Sequence, residues 1–402
     1  MDAFVIDWLN LLFRWAHLIV GVGWIGTSFY FIVLDLSLKK RRGQAAGVMG
    51  SSWLVHGGGF YNVEKYTSAP DHLPDDLIWY KWEAYLTWVT GFALIILQYY
   101  LNAGSYLIDP SVMPLQTWQA VALSLTSLAL GWLVYHGLCK LFLGRNNIIL
   151  AVGVFAFVIA VSYFYTQVFS GRGALIHVGA LIGTMMAFNV FMIIIPNQKK
   201  IIASLIAGEK PDPALGITGK QRSVHNNYFT LPVLLMMVSS HYPMLTGHPY
   251  SWLLVALVIV MGGCVRHFLN LHEADQYASE KRAENYSWYL LVAAVLLVVA
   301  LVMTAPRDSE QIAAAPVSDR EIMAIAAKHC TSCHAASPAH AAFREAPKGV
   351  MLDSVENWVR FAPTIKAQTV DSNMMPLGNQ SGMTADERAK VAAWLGAIDM
   401  GE

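Results

Sequence analysis

Residues 329–334 read His-Cys-Thr-Ser-Cys-His. Two thiols three positions apart, followed at once by an imidazole, form the C-x-x-C-H signature of c-type haem attachment. Cys330 and Cys333 would reach the two vinyl groups of one porphyrin, and His334 would offer its ring to the iron. A sixth ligand is expected tens of residues later, and Met374-Met375-Pro376 supplies it. Met375, directly before the proline, is the expected ligand, and Met/His ligation is the cytochrome c pattern. A thioredoxin-like thiol pair would need a βαβ setting that this segment lacks. A zinc knuckle would crowd four ligands into six residues.

A second set of candidates lies in apolar stretches, where ionisable side chains are costly and so point to function. Arg14, His17, Gly21, Trp24 and Ser28 follow one another at helical steps and share one face. His136 lies four residues after Trp132, His177 opens another apolar run, and His267 follows Arg266. Read as helices crossing in the same direction, they place His17 and His177 in one half of a bilayer and His136 and His267 in the other. Imidazoles at two depths are what one or two b-type haems would need, with Arg14 and Arg266 available to propionates. The competing reading is a set of buried histidines bonded to neighbouring helices.

The segment 43–77 is polar, aromatic and glycine-rich. It holds Trp53-Leu-Val-His56-Gly57-Gly58-Gly59-Phe60-Tyr61, Glu64-Lys65-Tyr66 and Ala69-Pro70-Asp71-His72, and it leads into Trp79-Tyr80-Lys81-Trp82-Glu83. Such a mixture suits a pocket for a flat, anionic, hydrogen-bonding ligand. Successive glycine N–H groups can also face an anion. The alternative is an interfacial segment whose aromatics sit among lipid headgroups.

Composition says what must position these groups. Of 402 residues, 55% are hydrophobic and only 13% are charged, with zero net charge. That excludes an ordinary soluble domain and a nucleic-acid binder, which needs a basic face. The charges are uneven: residues 1–304 carry 18 basic and 15 acidic side chains, and residues 305–402 carry 9 and 12. A membrane domain (1–304), a linker (305–317) and a small soluble domain (318–402) follow. Eight apolar stretches are long enough to cross a bilayer: 8–36, 78–101, 117–143, 148–168, 174–196, 228–246, 250–272 and 286–304. Lys and Arg cluster in alternate connections, at 39–42, 140–145, 199–222 and 281–282. The positive-inside rule then puts both the N-terminus and the C-terminal domain outside. Ser318-Asp-Arg-Glu321 and Thr384-Ala-Asp-Glu387 are capping boxes that open the first and last helices of the soluble domain. The expected architecture is all-α: an eight-helix transmembrane bundle followed by a class I-like cytochrome c domain.

Taken together, Arg14-Trp-Ala-His-Leu-Ile-Val-Gly-Val-Gly-Trp-Ile-Gly26, Val55-His-Gly-Gly-Gly-Phe-Tyr61, Tyr80-Lys-Trp-Glu-Ala-Tyr-Leu-Thr-Trp88, Cys330-Thr-Ser-Cys-His334 and Met374-Met-Pro-Leu-Gly-Asn379 resemble the bacterial membrane-bound urate oxidases with a fused cytochrome c. The resemblance spans essentially the whole chain. It implies oxidation of urate to 5-hydroxyisourate at the bacterial inner membrane, with the cytochrome domain in the periplasm. Electrons would pass through haem c to a downstream acceptor, a soluble cytochrome c or a terminal oxidase. Such chemistry needs a base, for which His56, His72 and Glu83 are candidates. Lys65, Lys81 or the glycine N–H groups would hold the urate anion. The competing function is an electron-transfer subunit that passes quinol electrons to a terminal oxidase without substrate chemistry.

Overall fold

A computed structural model describes residues 3–66, 73–74, 76–277, 285–305, 317–340 and 343–399. His72 and nearly all of the linker lie outside the described residues.

The chain is mostly helical. Among the described residues, nine helices of at least 12 residues form the N-terminal body: α1 Ala3–Ser37, α2 Trp82–Ile95, α3 Thr117–Leu141, α4 Asn147–Val168, α5 Gly171–Phe188, α6 Ile195–Ile206, α7 Pro213–Ser239, α8 Ser251–Tyr277 and α9 Trp288–Thr304. π-helical turns at Ile96–Tyr100 and Asn189–Ile194 extend α2 and join α5 to α6. Local capping explains several starts. Asn146 accepts from the Ile148 and Ile149 amides, Ser170 from Gly173 and Asp212 from Ala214.

Among the described residues, five helical segments are long and apolar enough to cross a membrane: Phe4–Ser37, Thr117–Leu141, Asn147–Val168, Gly171–Ile206 and Ser251–Tyr277. The shorter Trp288–Thr304 is also apolar. Their outward faces are greasy: Trp15, Leu18 and Val22 of α1 and Leu291, Val298 and Val302 of α9 are all more than half exposed. Exposed apolar faces of this kind are compatible with a lipid surrounding.

Two features depart from the sequence expectation. The segment after α1 is not a helical-protein loop but a β-hairpin, β1 Val48–His56 paired antiparallel with β2 Gly59–Tyr66. The fold is therefore not purely α. Gly57 and Gly58, with φ of +59° and +81°, make the two-residue turn that such a hairpin demands. Further along, α7 begins at Pro213, not near residue 228. Its first half is polar, yet Arg222, Asn226 and Asn227 are buried inside the bundle. A hydropathy window sees that half as loop, because it cannot see which neighbours cover it.

The C-terminal body packs α10 Asp319–His329, α11 Val355–Arg360 and α12 Ala385–Asp399 around Ile322, Trp358, Val391 and Trp394. Both expected capping boxes are present, at Ser318/Glu321 and Thr384/Glu387. The Trp358 and Trp394 rings meet edge to face at 5.9 Å. This body sits on one end of the bundle. Thr246 donates to the Met374 sulfur at 3.0 Å, and Gln380 donates to Ser105 at 2.8 Å. The hairpin sits at the opposite end, where Lys65 and Lys220 both reach Asp35, at 2.5 and 3.4 Å.

Candidate active site and redox centres

In the C-terminal body, α10 runs straight into Cys330, and both cysteines are free thiols. Burial pushes the Cys330 thiol up to about 12, the opposite of the low value a redox-active thiol pair needs. His334 Nδ1 lies 2.9 Å from the Val350 carbonyl. A carbonyl only accepts, so Nδ1 carries the hydrogen and Nε2 keeps the lone pair that a metal takes. Met374 is buried with its sulfur committed to Thr246. Met375 is held from its backbone alone, its N–H donating to Gln368 and its carbonyl accepting from Arg388. No group of three His, Cys, Asp or Glu side chains able to hold a metal ion occurs among the described residues. Cys330, Cys333 and His334 are donors of the kind that a covalently held haem would take.

The four membrane histidines differ in the same terms. Thr90 gives its one hydroxyl hydrogen to the Leu86 carbonyl at 2.6 Å, so its oxygen accepts from His17 Nδ1 at 3.0 Å. His17 therefore keeps its lone pair on Nε2. Its ring closes on Gly91, where a β-carbon would stand 2.9 Å from Cε1. Arg14 on the same face donates to Gln98 at 2.6 Å. His177 is fully buried and has both nitrogens engaged: Nδ1 with the Gly173 carbonyl at 2.7 Å and Nε2 with the Ser124 hydroxyl at 2.6 Å. Ligation there would first have to break the Ser124 bond. His136 receives an N–H from Arg222 on Nδ1 at 3.3 Å, which places its own hydrogen on Nε2. His267 bonds Tyr228 through Nδ1 at 2.6 Å. Its neighbour Arg266 is buried, donates to Asn227 and lies 4.1 Å over the Phe29 ring.

The expected substrate residues do not converge. His56 is exposed at the hairpin tip, and Lys65 stands near its base. Six residue steps along β2 lead from Gly59, the partner of His56, to Lys65. That is about 20 Å along the strand, so one purine-sized ligand cannot touch both. Lys81 lies over the Trp79 and Trp82 rings at 5.8 and 5.6 Å. Glu83 opens α2 against α1, and its Cγ would be 3.8 Å from a β-carbon on Gly23.

Sequence reasoning missed a buried polar network between α3, α5 and α7. Tyr135 bonds His225 at 2.9 Å and accepts from Asn189 at 2.8 Å. Asn189 also donates to Asn226 at 2.9 Å. Arg222, 1% exposed, lies 5.1 Å over the Tyr135 ring. The available signal was the step Arg222–Asn226–Thr230, one polar residue every four.

Residues 3–305 match the family model described as urate oxidase N-terminal. No curated protein and no solved structure matches the chain significantly.

Proposed function

The chain belongs to the urate oxidase N-terminal family, and from that premise we propose that it oxidises urate to 5-hydroxyisourate within a membrane and passes the electrons to its own C-terminal cytochrome domain. The family match across residues 3–305 carries this reading. It also disfavours an electron-transfer subunit without substrate chemistry.

In this reading eight helical segments cross the bilayer: α1, α2 with its π extension, α3, α4, α5 to α6, α7, α8 and α9. Lys39, Lys65, Lys140 and Lys220 lie toward the hairpin end, which the positive-inside rule assigns to the cytoplasm. The C-terminal body then faces the periplasm of a bacterial inner membrane.

The overall conversion adds water at C5 of urate and releases two electrons and two protons. Glu83, at the cytoplasmic end of α2, is the base that takes a proton. His56 at the exposed tip is less well placed, and His72 lies outside the described residues. Cys330 and Cys333 would hold haem c covalently, and His334 and Met375 would offer their side chains to its iron; when bound, this haem would supply a one-electron centre. His17, with Nδ1 held by Thr90, is the membrane histidine whose geometry suits a haem b ligand. From Arg222 to Ser239 is about 25 Å of helix rise, too far for efficient transfer without a centre between the two ends. The final acceptor is a soluble cytochrome c or a terminal oxidase.

The test is anaerobic addition of urate to the purified full-length protein. Haem c should be reduced with formation of 5-hydroxyisourate, and Glu83→Gln should slow this about 10²-fold or more. Absence of haem reduction by urate would overturn the proposal.

A further inference from the structure

Arg222 is a cation without a counter-ion. It is 1% exposed, and its Nε and Nη1 have no hydrogen-bond partner. Its neighbours are neutral: the Tyr135 ring and hydroxyl, the Cys139 thiol, His225, and His136 through Nη2. No carboxylate pairs with it among the described residues. A guanidinium does not shed its proton, and burying one unpaired is strongly unfavourable.

The surrounding side chains share this incompleteness. Trp132 is nine-tenths buried, stacked on His136 at 4.9 Å, and its indole N–H is unpartnered. On the acceptor side, Gln221 Oε1 and Asn189 Oδ1 are buried and unpartnered. All belong to one locality: Asn189 bonds Tyr135, and Gln221 bonds the Cys139 carbonyl, on the same α3 face as Trp132 and His136. Because Arg222 donates to His136 Nδ1, the Nε2–H of His136 is a further donor. Buried polar atoms are normally satisfied. Here donors with a fixed positive charge and acceptors stand unsatisfied together beside stacked flat rings.

We propose that Arg222, with Trp132, His136, Gln221 and Asn189, forms the binding site for a planar organic anion that carries both N–H donors and carbonyl or oxyanion acceptors. Urate is such an anion. The proposal rests on the function above and moves its substrate site from the glycine-rich hairpin to the interior of the bundle. Arg222 binds the charge, His136 acts as a hydrogen-bond donor rather than a metal ligand, and the amides read the ring N–H groups.

The experiment is equilibrium dialysis of labelled urate against the purified full-length protein. Arg222→Gln should raise Kd at least about tenfold, with an unchanged elution volume and haem spectrum. Arg222→Lys, which keeps the charge but not the fork, should fall between. If Arg222→Gln fails to fold, Trp132→Phe keeps the stacking ring, removes only the N–H, and should weaken urate about threefold or more. Wild-type affinity in folded Arg222→Gln, or in Trp132→Phe where it alone folds, would overturn the site while leaving the proposed function standing. Loss of membrane haem absorbance with urate affinity intact would assign Arg222 to a haem propionate instead, and would overturn it as well. Failure of the wild-type protein to bind urate would remove the functional reading and this site together.

Discussion

The Thr246 hydroxyl donates to the sulfur of Met374 at 3.0 Å across the boundary between the two bodies of the chain. Two consecutive methionines precede Pro376, and this contact distinguishes them. Met374 is a docking residue, which leaves Met375 as the ligand in the proposed haem c site. Met375→Ala should remove the sixth ligand and lower the reduction potential of haem c, because thioether ligation raises it. Met374→Leu should leave the potential in place. A redox titration of the purified full-length variants reads the difference directly, and equal shifts in both would refute the assignment.

Gly378 makes a close approach at the same interface. It sits at φ +58°, and a β-carbon there would stand 2.5 Å from the Gly104 carbonyl and 3.0 Å from that of Ile108. Gly378→Val adds both backbone strain and a collision. Strain of this kind costs about 1–3 kcal/mol, roughly 5- to 150-fold in an equilibrium. The C-terminal body should dock less often, so under the proposed function haem c reduction by urate slows while its potential stays the same. Stopped-flow reduction alongside a redox titration separates the two, and an unaltered rate would show that docking does not limit transfer.

Glu387 caps α12 and ties it to α10. Its carboxylate accepts from Lys328 at 2.8 Å, from the Thr384 amide at 2.9 Å, and lies 3.1 Å from His329. The Lys328 bond first, then the Thr384 amide, hold its pKa well below the ordinary carboxylate range. A depressed folded-state pKa gives stability that is complete above the unfolded value, about 4.3, and is lost as pH falls toward the folded one. The cytochrome domain should therefore melt at falling temperature below about pH 4. Glu387→Gln should lower the neutral-pH melting temperature and flatten that acid slope. Melting curves monitored at the haem c absorbance, between pH 7 and 3, test both parts.

The parts legible in the sequence were those set by local chemistry. Helices formed within the apolar stretches, five of the described helical segments being long and apolar enough to cross a membrane, and both capping boxes formed. What stayed hidden depends on neighbours distant in the chain. His56-Gly-Gly-Gly looked like an anion-binding loop because the pairing of Val48–His56 with Gly59–Tyr66 is a register fact. Arg222 looked like loop charge because burial is conferred by α3 and α5, more than thirty residues away. The histidines were all visible, but their tautomers were not: Thr90, Ser124 and Arg222 decide those, and none adjoins its histidine in sequence.

That tautomer difference makes the last prediction. His17 has its N–H directed at Thr90 and an uncommitted Nε2; His177 spends Nε2 on Ser124 and Nδ1 on the Gly173 carbonyl. If the membrane domain holds haem b, removing the two rings should have opposite signatures. His17→Ala should abolish the b-type absorbance at little cost to folding, since its ring is only partly buried. His177→Ala should retain the absorbance but destabilise the bundle, because Ser124 and the Gly173 carbonyl lose a buried partner, worth about 1–3 kcal/mol for each orphaned group. Haemochrome spectra distinguish the b and c types, and thermal melts report the bundle. Thr90→Val, which keeps the shape but frees the His17 ring to rotate, should shift the b-type potential without removing the haem. Retention of b-type haem in His17→Ala, or its loss in well-folded His177→Ala, would reverse the ligand assignment.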